Sequence, residues 1–395
     1  MSDWSTLPLS ELLDDAKAGF ACGEDLSEGV FQFRMNNVTT EGHLDLSKKR
    51  RIPRSTRNLE AYLLEPGDVL FNATNSPELV GKSAFFPGNG EPSAFSNHFL
   101  RLRPNPKKLE GRFLARWLTL QFQHRVFQGM CRQWVNQATV GRDSLLALRM
   151  PTPPLAEQLR ISELLDRAEA LRAKRRAALA QLDTLTQCIF LDLFGNPTTN
   201  SKRWPTRALK EACDAINDCP HSTPVWTEEG MICLRTSNLT DGGWDWSDTR
   251  YVSDATYDER SKRGHLEPGD IVLSREGTVG IAAIVTPGMR ICMGQRLVQV
   301  RPSPSAILPE FLLRHLLYVL SPARIGQVMV GSTSQHLNVK ELKALRVPVP
   351  PLALQRDFAR RVAILEEMKT AYRASLAELS SLFATLRHRA FRGEL

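Results

Sequence analysis

The chain has 395 residues and a net charge of +8 at pH 7, with 51 Lys and Arg against 43 Asp and Glu. Hydrophobic residues make up 42% and charged residues 24%, values typical of a globular protein that exclude disorder over most of the length. The basic excess favours a polyanion or an anionic surface as partner but does not identify one.

Strand-like and helical runs alternate along the chain, and they come in two sets. The first set lies at 29–35, 68–72, 99–103 and 109–127, and the second at 231–235, 270–274, 297–301 and 309–320. Pro66-Gly67 and Pro268-Gly269 are turn signals, because Pro presets φ and Gly accepts a positive φ. Each half of the chain therefore predicts a mixed α/β unit, whose strand order does not follow from the sequence.

A long proline-free stretch follows each unit, from Pro154 to Pro197 and from Pro351 onwards. Both stretches are rich in residues that favour helices. Steps of three and four, as in a coiled-coil seam, link Ile161, Leu164, Ala168, Leu171, Arg175, Ala178, Leu182, Leu185 and Ile189, and likewise Phe358, Leu365, Met368, Tyr372, Ser375, Leu379, Leu382 and Leu386. We expect two helices of about 50 Å that pair as an antiparallel coiled coil. In the alternative, each helix folds back on its own unit.

The chain is an internal duplication with an offset of about 200 residues, a period at which a repeat decides the fold. The segment 149–156 (RMPTPPLA) recurs at 346–353 (RVPVPPLA), and 64–69 (LEPGDV) recurs at 266–271 (LEPGDI). Nearer the starts, Arg34 with Asn37 matches Arg235 with Asn238, and 44–47 matches 244–247. Because four anchors recur in the same order, the two copies share one plan.

The sequence lacks the common catalytic motifs. The dinucleotide-binding and phosphate-binding glycine motifs, the Gly-x-Ser-x-Gly motif and the Asn/Asp-Pro-Pro-aromatic tetrapeptide of amino-methyltransferases are absent. Glu310 with Glu341 and Lys343 loosely resembles a magnesium nuclease, but solvated charges at helix starts explain these residues better. Cys213, Cys219, His221 and Cys233 have soft-ligand chemistry without the usual spacing for zinc. We expect no catalytic group and no metal site in this chain.

Polar clusters lie at predicted turns in matching places of the two copies, with different residues in each. Arg, Asn, Gln, Ser and Thr are the side chains that read base edges and hold phosphates, although ordinary turn chemistry is the alternative for any one residue. The candidate nucleic-acid contacts are Arg34, Asn36, Asn37, Asn72, Thr74, Asn75, Asn97, His98, Arg132, Gln133, Asn136 and Gln137 in copy one, and Arg235, Ser237, Asn238, Arg275, Thr278, Gln295, Arg296, Ser334, Gln335, His336 and Asn338 in copy two.

The duplicated unit, the Pro-x-Pro-Pro-Leu-Ala entry to each long helix and the segment 190–197 (FLDLFGNP) together resemble the specificity subunit of type I restriction-modification systems. The resemblance covers essentially the full chain. It implies an α/β (α+β) fold with target recognition domains at 1–150 and 198–347 and helical spacers at 151–197 and 348–395. Copy one has Glu157-Gln158 where copy two has Leu354-Gln355, so the two helix starts are expected to engage their partners differently.

The same resemblance implies partners and cofactors. Each domain would read one half of a bipartite site in double-stranded DNA, and the helices would set the gap and dock two modification (methyltransferase) subunits. Restriction subunits with translocase and nuclease activity would join outside. S-adenosylmethionine and ATP with Mg would then belong to the partner subunits, and this chain would hold no cofactor.

Two other functions stay open at this stage, a protein-interaction scaffold built on the coiled coil and a stand-alone nuclease or methyltransferase. No apolar run reaches the ~18 residues that span a bilayer, and the N-terminus lacks the pattern of a secretory signal. Seven scattered cysteines favour free thiols in a reducing compartment. We therefore expect a cytoplasmic protein with no membrane partner.

Overall fold

A computed structural model of the chain describes residues 4–133, 137–325 and 337–395, apart from the side chain of Gln133. The chain divides into two compact units: unit 1 comprises residues 1–175 and 375–395, and unit 2 comprises residues 176–374. Each unit combines β-sheets with short helices and takes in part of both long helices. The predicted mixed α/β fold is confirmed.

The elements of the first half, most of them in unit 1, follow in chain order. They are β1 (Ser5–Pro8), α1 (Leu9–Leu12), β2 (Leu13–Ala18), β3 (Val30–Phe33), β4 (Arg51–Ile52), β5 (Val69–Asn72), β6 (Thr74–Asn75), β7 (Ser83–Phe85), β8 (Ser93–Phe95), β9 (Phe99–Pro104), α2 (Gly111–Gln123), α3 (Val126–Met130), β10 (Arg132–Gln133), β11 (Ala138–Thr139), α4 (Arg142–Leu146), β12 (Arg149–Thr152) and the long helix α5 (Leu155–Phe194).

The elements of the second half repeat this plan. They are β13 (Thr206–Ala208), α6 (Leu209–Ala212), β14 (Cys213–Asp218), β15 (Met231–Leu234), β16 (Tyr251–Val252), α7 (Asp254–Ser261), β17 (Ile271–Ser274), β18 (Ala282–Ile284), β19 (Ile291–Met293), β20 (Leu297–Pro302), α8 (Pro309–Val319), α9 (Val339–Ala344), β21 (Arg346–Pro348) and the long helix α10 (Leu352–Ala390). All six predicted strands and all four predicted helices are present.

Two of the sheets in each unit have the same topology. A four-stranded antiparallel sheet has the order β2-β9-β5-β7 in unit 1 and β14-β20-β17-β18 in unit 2. A three-stranded sheet has the order β4-β3-β8 or β16-β15-β19, with one parallel pair in each. β5 and β17 are buried along their whole length, which explains why they read as continuous apolar runs rather than as alternating ones.

The core of unit 1 includes the start of α5 and the end of α10. Phe113 of α2 packs with Ile161 and Leu165 of α5 and with Phe383 of α10 and Phe391 just beyond it. Residues near the start of α5 therefore meet residues near the end of α10, as in an antiparallel pair. The unit 2 core mirrors this arrangement, since Phe190 and Phe194 of α5 pack with Phe311 of α8 and Phe358 of α10.

The predicted seam is half right. Every heptad of the seam has two predicted contact positions. At the first position Ile161, Leu182 and Leu365 are buried as predicted. At the second position the buried residue is the one that follows the predicted residue. Four predicted seam residues are exposed, namely Leu171 (53%), Leu185 (43%), Met368 (40%) and Leu382 (52%). Their neighbours Thr186, Lys369 and Phe383 are buried instead. A search for apolar residues does not find these positions, because some are occupied by polar side chains that have partners nearby. Lys369 Nζ, for example, lies 2.7 Å from Asp183 and 2.8 Å from Glu366.

One described helix, α5, has a stretch that is long and apolar enough to cross a membrane by length and composition alone. The sequence-based expectation that no such stretch exists is thereby qualified. This is a weak indication, because the core helix of a globular protein passes the same test. Phe190 and Phe194 on α5 are buried against unit 2, as in such a core helix.

Candidate nucleic-acid interface

A short 3₁₀ turn, Met35–Asn37, follows β3 in unit 1 and leaves Arg34 and Asn36 exposed. Asn37 is buried: its Oδ1 accepts a hydrogen bond from the Arg34 N–H at 2.9 Å, and its Nδ2 donates to the carbonyls of Asp45 and Lys48, each at 2.8 Å. The Asn37 side chain anchors the loop that follows, so its hydrogen-bonding groups are engaged inside the unit.

The same anchored turn recurs in unit 2 as Thr236–Asn238. Asn238 is also buried, accepts from the Arg235 N–H at 2.9 Å, and donates to the carbonyls of Asp245 and Asp248 at 3.0 and 3.1 Å. The Arg235 guanidinium is paired with the Asp248 side chain, and Ser237 is exposed. The duplicated Arg-x-x-Asn pattern is thus a loop anchor shared by both units.

Other candidate clusters of unit 1 converge at the ends of β5 and β9. Asn72 is fully buried, and its Nδ2 donates to the carbonyls of Thr74 and His98, both at 3.1 Å. β6, β11 and β10 form a small antiparallel sheet, in which the hydroxyls of Thr74 and Thr139 are 3.1 Å apart. This sheet brings the segment 72–75 beside 132–133 and 137–139.

Arg34 belongs to the same edge, because its positive charge acts on His98. The pKa of His98 is lowered, mainly by burial and secondarily by Arg34, so the imidazole is neutral at pH 7. We call the following set the unit 1 edge: Arg34, Asn36, Asn72, Thr74, Asn75, Asn97, His98, Arg132 and Gln137. The side chain of Gln133 and the whole of Asn136 lie outside the described residues.

Arg275 in unit 2 has the backbone position that Ala73 has in unit 1. The Arg275 N–H donates to the Arg296 carbonyl at 3.0 Å, and the Arg275 carbonyl accepts from the Leu337 N–H at 2.8 Å. Ala73 makes the equivalent bonds with His98 and Val140, both at 2.9 Å. The two edges therefore share one backbone frame.

The side chains on the unit 2 frame form a charged network. Arg275 is 5% exposed, with Nε 3.2 Å from Asp218 Oδ1 and a terminal nitrogen 3.4 Å from His221 Nδ1. Glu276 lies 3.4 Å from Arg275 and 3.6 Å from Arg296. Arg296, with a left-handed φ of 66°, keeps 60% of its side chain exposed. This network thus combines one exposed and one buried arginine with the carboxylates of Asp218 and Glu276.

The remaining candidates of unit 2 are placed as follows. Gln295 donates to the His221 carbonyl, and Thr278 is exposed. Asn338 is exposed and caps α9 by accepting from the Lys340 N–H at 2.8 Å. Ser334, Gln335 and His336 lie outside the described residues. We call the following set the unit 2 edge: Arg235, Ser237, Arg275, Glu276, Thr278, Gln295 and Arg296.

The sequence does not predict Asp218, His221 or Glu276 as residues of this edge, and it offers His221 only as a zinc ligand. Glu276 directly follows the candidate Arg275, so charge pairing between neighbours could have indicated it. Asp218 ends β14 and His221 lies three positions later, and no turn motif marks them as partners of a residue more than 50 positions away.

Metal binding has no support in the part of the chain that the structure describes, where no three His, Cys, Asp or Glu side chains are arranged to hold an ion. The cysteines considered as zinc ligands lie apart, with Cys213, Cys219 and Cys233 in three different apolar clusters. All seven cysteines are free thiols.

Comparison with known proteins bears on both units. The family model described as type I restriction modification DNA specificity domain matches residues 1–181 and again 202–378. A putative type I restriction enzyme MjaX specificity subunit from Methanocaldococcus jannaschii is 22% identical, over 93% of this chain and 87% of that protein. The EcoKI specificity subunit of Escherichia coli K12 is 24% identical, over 92% of this chain and 82% of its own length.

Solved structures share the fold. A chain from a structural study of complex assembly and conformational transition of the type I R-M system matches with a TM-score of 0.61, at 21% identity over 99% of this chain and 98% of that one. The S subunit of a type I restriction-modification system from M. genitalium matches with a TM-score of 0.59, at 16% identity over 98% of this chain and 96% of that one.

Proposed function

Because the chain belongs to the type I restriction-modification DNA specificity family, we propose that it is the subunit that gives such a complex its DNA sequence specificity. Unit 1 and unit 2 act as two readers, and each recognises one half of a bipartite site in double-stranded DNA. The chain is a recognition component, and the chemistry belongs to its partners.

The observation that carries this proposal is the pair of matched edges. A common backbone frame holds Asn72, Thr74 and His98 in unit 1 and Ser274, Glu276 and Arg296 in unit 2. In the major groove of DNA, Arg donates hydrogen bonds, Glu accepts them and Asn does both, so these side chains prefer different bases. One scaffold with two different sets of donors and acceptors is what two readers of unlike half-sites require.

The long helices are proposed to set the gap between the half-sites. α5 has 40 residues, which corresponds to about 60 Å of helix at 1.5 Å per residue. One turn of DNA is roughly 34–36 Å long. A helix of this length is therefore sufficient to keep two readers more than one helical turn apart.

Exposed apolar residues on the helices support docking of two identical partners. Among them, Leu171 and Leu382 lie in unit 1, and Leu185 and Met368 lie in unit 2. The duplication relates Leu171 to Met368 and Leu185 to Leu382, so each unit carries an equivalent pair. We assign these pairs to two modification subunits, with restriction subunits binding outside them.

The cofactors follow from this division of labour. S-adenosylmethionine for adenine methylation belongs to the modification subunits, and ATP with Mg belongs to the restriction subunits. A complex that acts on cellular DNA, built on a chain with seven free thiols, is expected in the cytoplasm.

The proposal is tested by mapping which adenines the complex methylates across a genome. The chain is expressed with its modification subunit in a methylation-free host, and N6-methyladenine is mapped by single-molecule sequencing. A split motif with two short half-sites around a fixed gap is expected. A continuous motif would contradict the two-reader arrangement, and unmodified DNA from a soluble, co-purifying complex would favour a scaffold.

Paired variants assign each half-site to its reader. Arg34→Gln is expected to relax specificity in one half-site and Arg296→Gln in the other, because each removes a guanidinium from one edge only. Loss at both half-sites from either variant would exclude this assignment.

A further inference from the structure

Lys82 buries its ammonium group beneath the turn that carries Arg34 and Asn36. The residue is 7% exposed, and Nζ donates to the carbonyls of Met35 at 3.0 Å and Val38 at 2.6 Å. Among the residues that the structure describes, no carboxylate forms an ion pair with Nζ. Burial accordingly lowers the pKa of Lys82.

Unit 2 shows that the fold itself does not need this charge. Ile281 has the backbone position of Lys82, since the Asn72 N–H donates to the Lys82 carbonyl at 2.8 Å and the Ser274 N–H donates to the Ile281 carbonyl at 2.9 Å. The preceding residues, Gly81 and Gly280, have left-handed φ values of 93° and 89°. Ile281 packs against an apolar cluster that includes Leu234 and Leu239.

A buried ammonium without a counter-charge is costly, and the equivalent apolar residue serves the same fold in unit 2. Lys82 therefore meets a requirement specific to unit 1. The difference lies in how the two turns are held. In unit 2 the Arg235 side chain secures its own loop by pairing with Asp248, whereas the corresponding residue in unit 1 is Lys48, which cannot pair with Arg34.

We propose that Lys82 is a positioning residue for sequence reading by unit 1. By binding the carbonyls of Met35 and Val38 from inside the unit, it holds the 3₁₀ turn in place and leaves the Arg34 guanidinium available for DNA. This inference rests on the proposed function of unit 1 as a reader of one half-site.

The experiment uses the complete complex with its modification subunits. Dissociation constants are measured at fixed salt for four duplexes: the full site, a site altered in each half in turn, and a non-specific sequence. Arg34→Gln identifies the half-site that belongs to unit 1. If the wild-type complex discriminates neither half-site, the proposed function fails, and the failure is distinct from that of the role of Lys82.

The test variants are Lys82→Ile, which installs the residue of unit 2, and Lys82→Met, which keeps an unbranched side chain of nearly the same length without the charge. Both are expected to reduce discrimination at the unit 1 half-site by roughly tenfold or more, as loss of one good base contact does. Discrimination at the other half-site and non-specific affinity are expected to stay unchanged. Hydrogen exchange is expected to speed up at 34–38 and not at 235–239.

Two control variants test whether the effect is specific to Lys82. Lys49→Met removes an exposed positive charge from the adjoining loop, and Ile281→Leu alters the equivalent position of unit 2. Neither variant is expected to change the ratio between the dissociation constants for the site altered in the unit 1 half and for the full site. Melting curves establish that each variant is folded.

Three outcomes would overturn the inference. Unchanged discrimination in both Lys82 variants would mean that Lys82 only fills space. An equal loss on all four duplexes, with a shallower salt dependence, would mean that it contacts a phosphate. A proportional loss at both half-sites with a lower melting temperature would mean that its role is only structural.

Discussion

Gln158, near the start of α5, accepts a hydrogen bond through Oε1 from the backbone N–H of Glu110 at 2.9 Å. Its Nε2 donates to the carbonyls of Lys108 and Pro153, both at 2.9 Å, and the residue is fully buried. One side chain thus fastens the long helix to the segment that leads into α2.

Gln355 repeats this arrangement in unit 2. Its Oε1 accepts from the Leu308 N–H at 2.8 Å, and its Nε2 donates to the carbonyls of Ala306 and Pro350 at 3.2 and 2.7 Å. The orientation of each long helix on its own unit therefore depends on an amide that the duplication has kept.

Replacing Gln158 with Leu is expected to destabilise unit 1 by about 2–4 kcal/mol, because a buried N–H and two buried carbonyls lose their partner. The control is Glu157→Leu, which installs the residue of copy two at a position whose side chain pairs with the nearby, half-exposed Arg160. Its expected effect is within about 0.5 kcal/mol. Denaturant unfolding compares the two, and equal effects would contradict the fastening role of Gln158.

Asp68 and Glu65 are a buried and an exposed partner of the same arginine, Arg103, and their removal should affect stability differently. Asp68 is 1% exposed, bonds Arg103 through both oxygens at 2.8 and 2.9 Å, and accepts from the Glu65 N–H at 2.8 Å. Asp68→Ala is expected to cost about 3–5 kcal/mol, because it leaves the arginine without its buried partner. Glu65→Ala removes the exposed partner of the same arginine and is expected to cost about 1 kcal/mol or less. Thermal unfolding measures both, and the reverse order would refute this ranking.

His315 makes the stability of unit 2 depend on pH. Burial lowers its pKa to about 4, and neither ring nitrogen has a hydrogen-bond partner among the described residues. The unfolded histidine has a pKa of about 6.5, so below that pH the unfolded chain binds more protons and stability falls as the pH falls towards 4. The loss between pH 7 and pH 5 is expected to be about 2 kcal/mol.

The matched variant is His315→Phe, which resembles the aromatic Trp117 at the equivalent position of unit 1. Urea unfolding at pH 7 and pH 5 is measured for both proteins. The wild-type protein should lose more unfolding free energy between pH 7 and pH 5 than His315→Phe does. An equal loss in both proteins would show that His315 does not contribute to the pH dependence.

Spacer length should control the gap in the target. Seven residues inserted after Arg175 and seven after Ala374, in register with the helices, lengthen each by about 10 Å, or about three base pairs. The methylome should then show the same half-sites with a longer gap. Changed half-sites at an unchanged gap would argue against a ruler.

The exposed apolar pairs should control the stoichiometry of the complex. Leu171→Glu with Leu382→Glu is expected to weaken one of the two docking sites, and native mass spectrometry should find one modification subunit instead of two. Leu159→Glu, at another exposed leucine of α5, is the control and should keep both. Retention of both subunits by the double variant would place docking elsewhere.

The duplication made the fold predictable, because a repeated order of strand-like runs, turns and long helices restricts the architecture. The seam was predictable only in part. Hydropathy favoured Leu185 and Met368, whereas the structure buries Thr186 and Lys369. Thr186 is satisfied by the Leu182 carbonyl at 3.0 Å, and a pattern of apolar residues cannot anticipate such a contact.

The candidate edges were predictable as places but not as side-chain roles. The sequence predicts Asn37 and Asn238 as base readers, and in the structure both side chains donate to carbonyls of their own loops. Polar residues at turns serve the backbone as readily as a ligand, and sequence alone does not separate the two uses. Lys82 was missed because its partners are main-chain carbonyls more than 40 residues away.

The composition of the unit 1 core has a consequence for protein synthesis. Phe113 and Phe391 meet with ring centroids 5.0 Å apart, and Phe383 and Ala390 belong to the same cluster. At roughly 5–20 residues per second, a ribosome that has finished residue 175 needs tens of seconds to reach these side chains. Unit 2 comes from one continuous stretch of chain and has no such wait. The core begun first is therefore completed last, and for that interval Phe113 of α2 lacks the native neighbours that the end of the chain supplies, Phe383, Ala390 and Phe391.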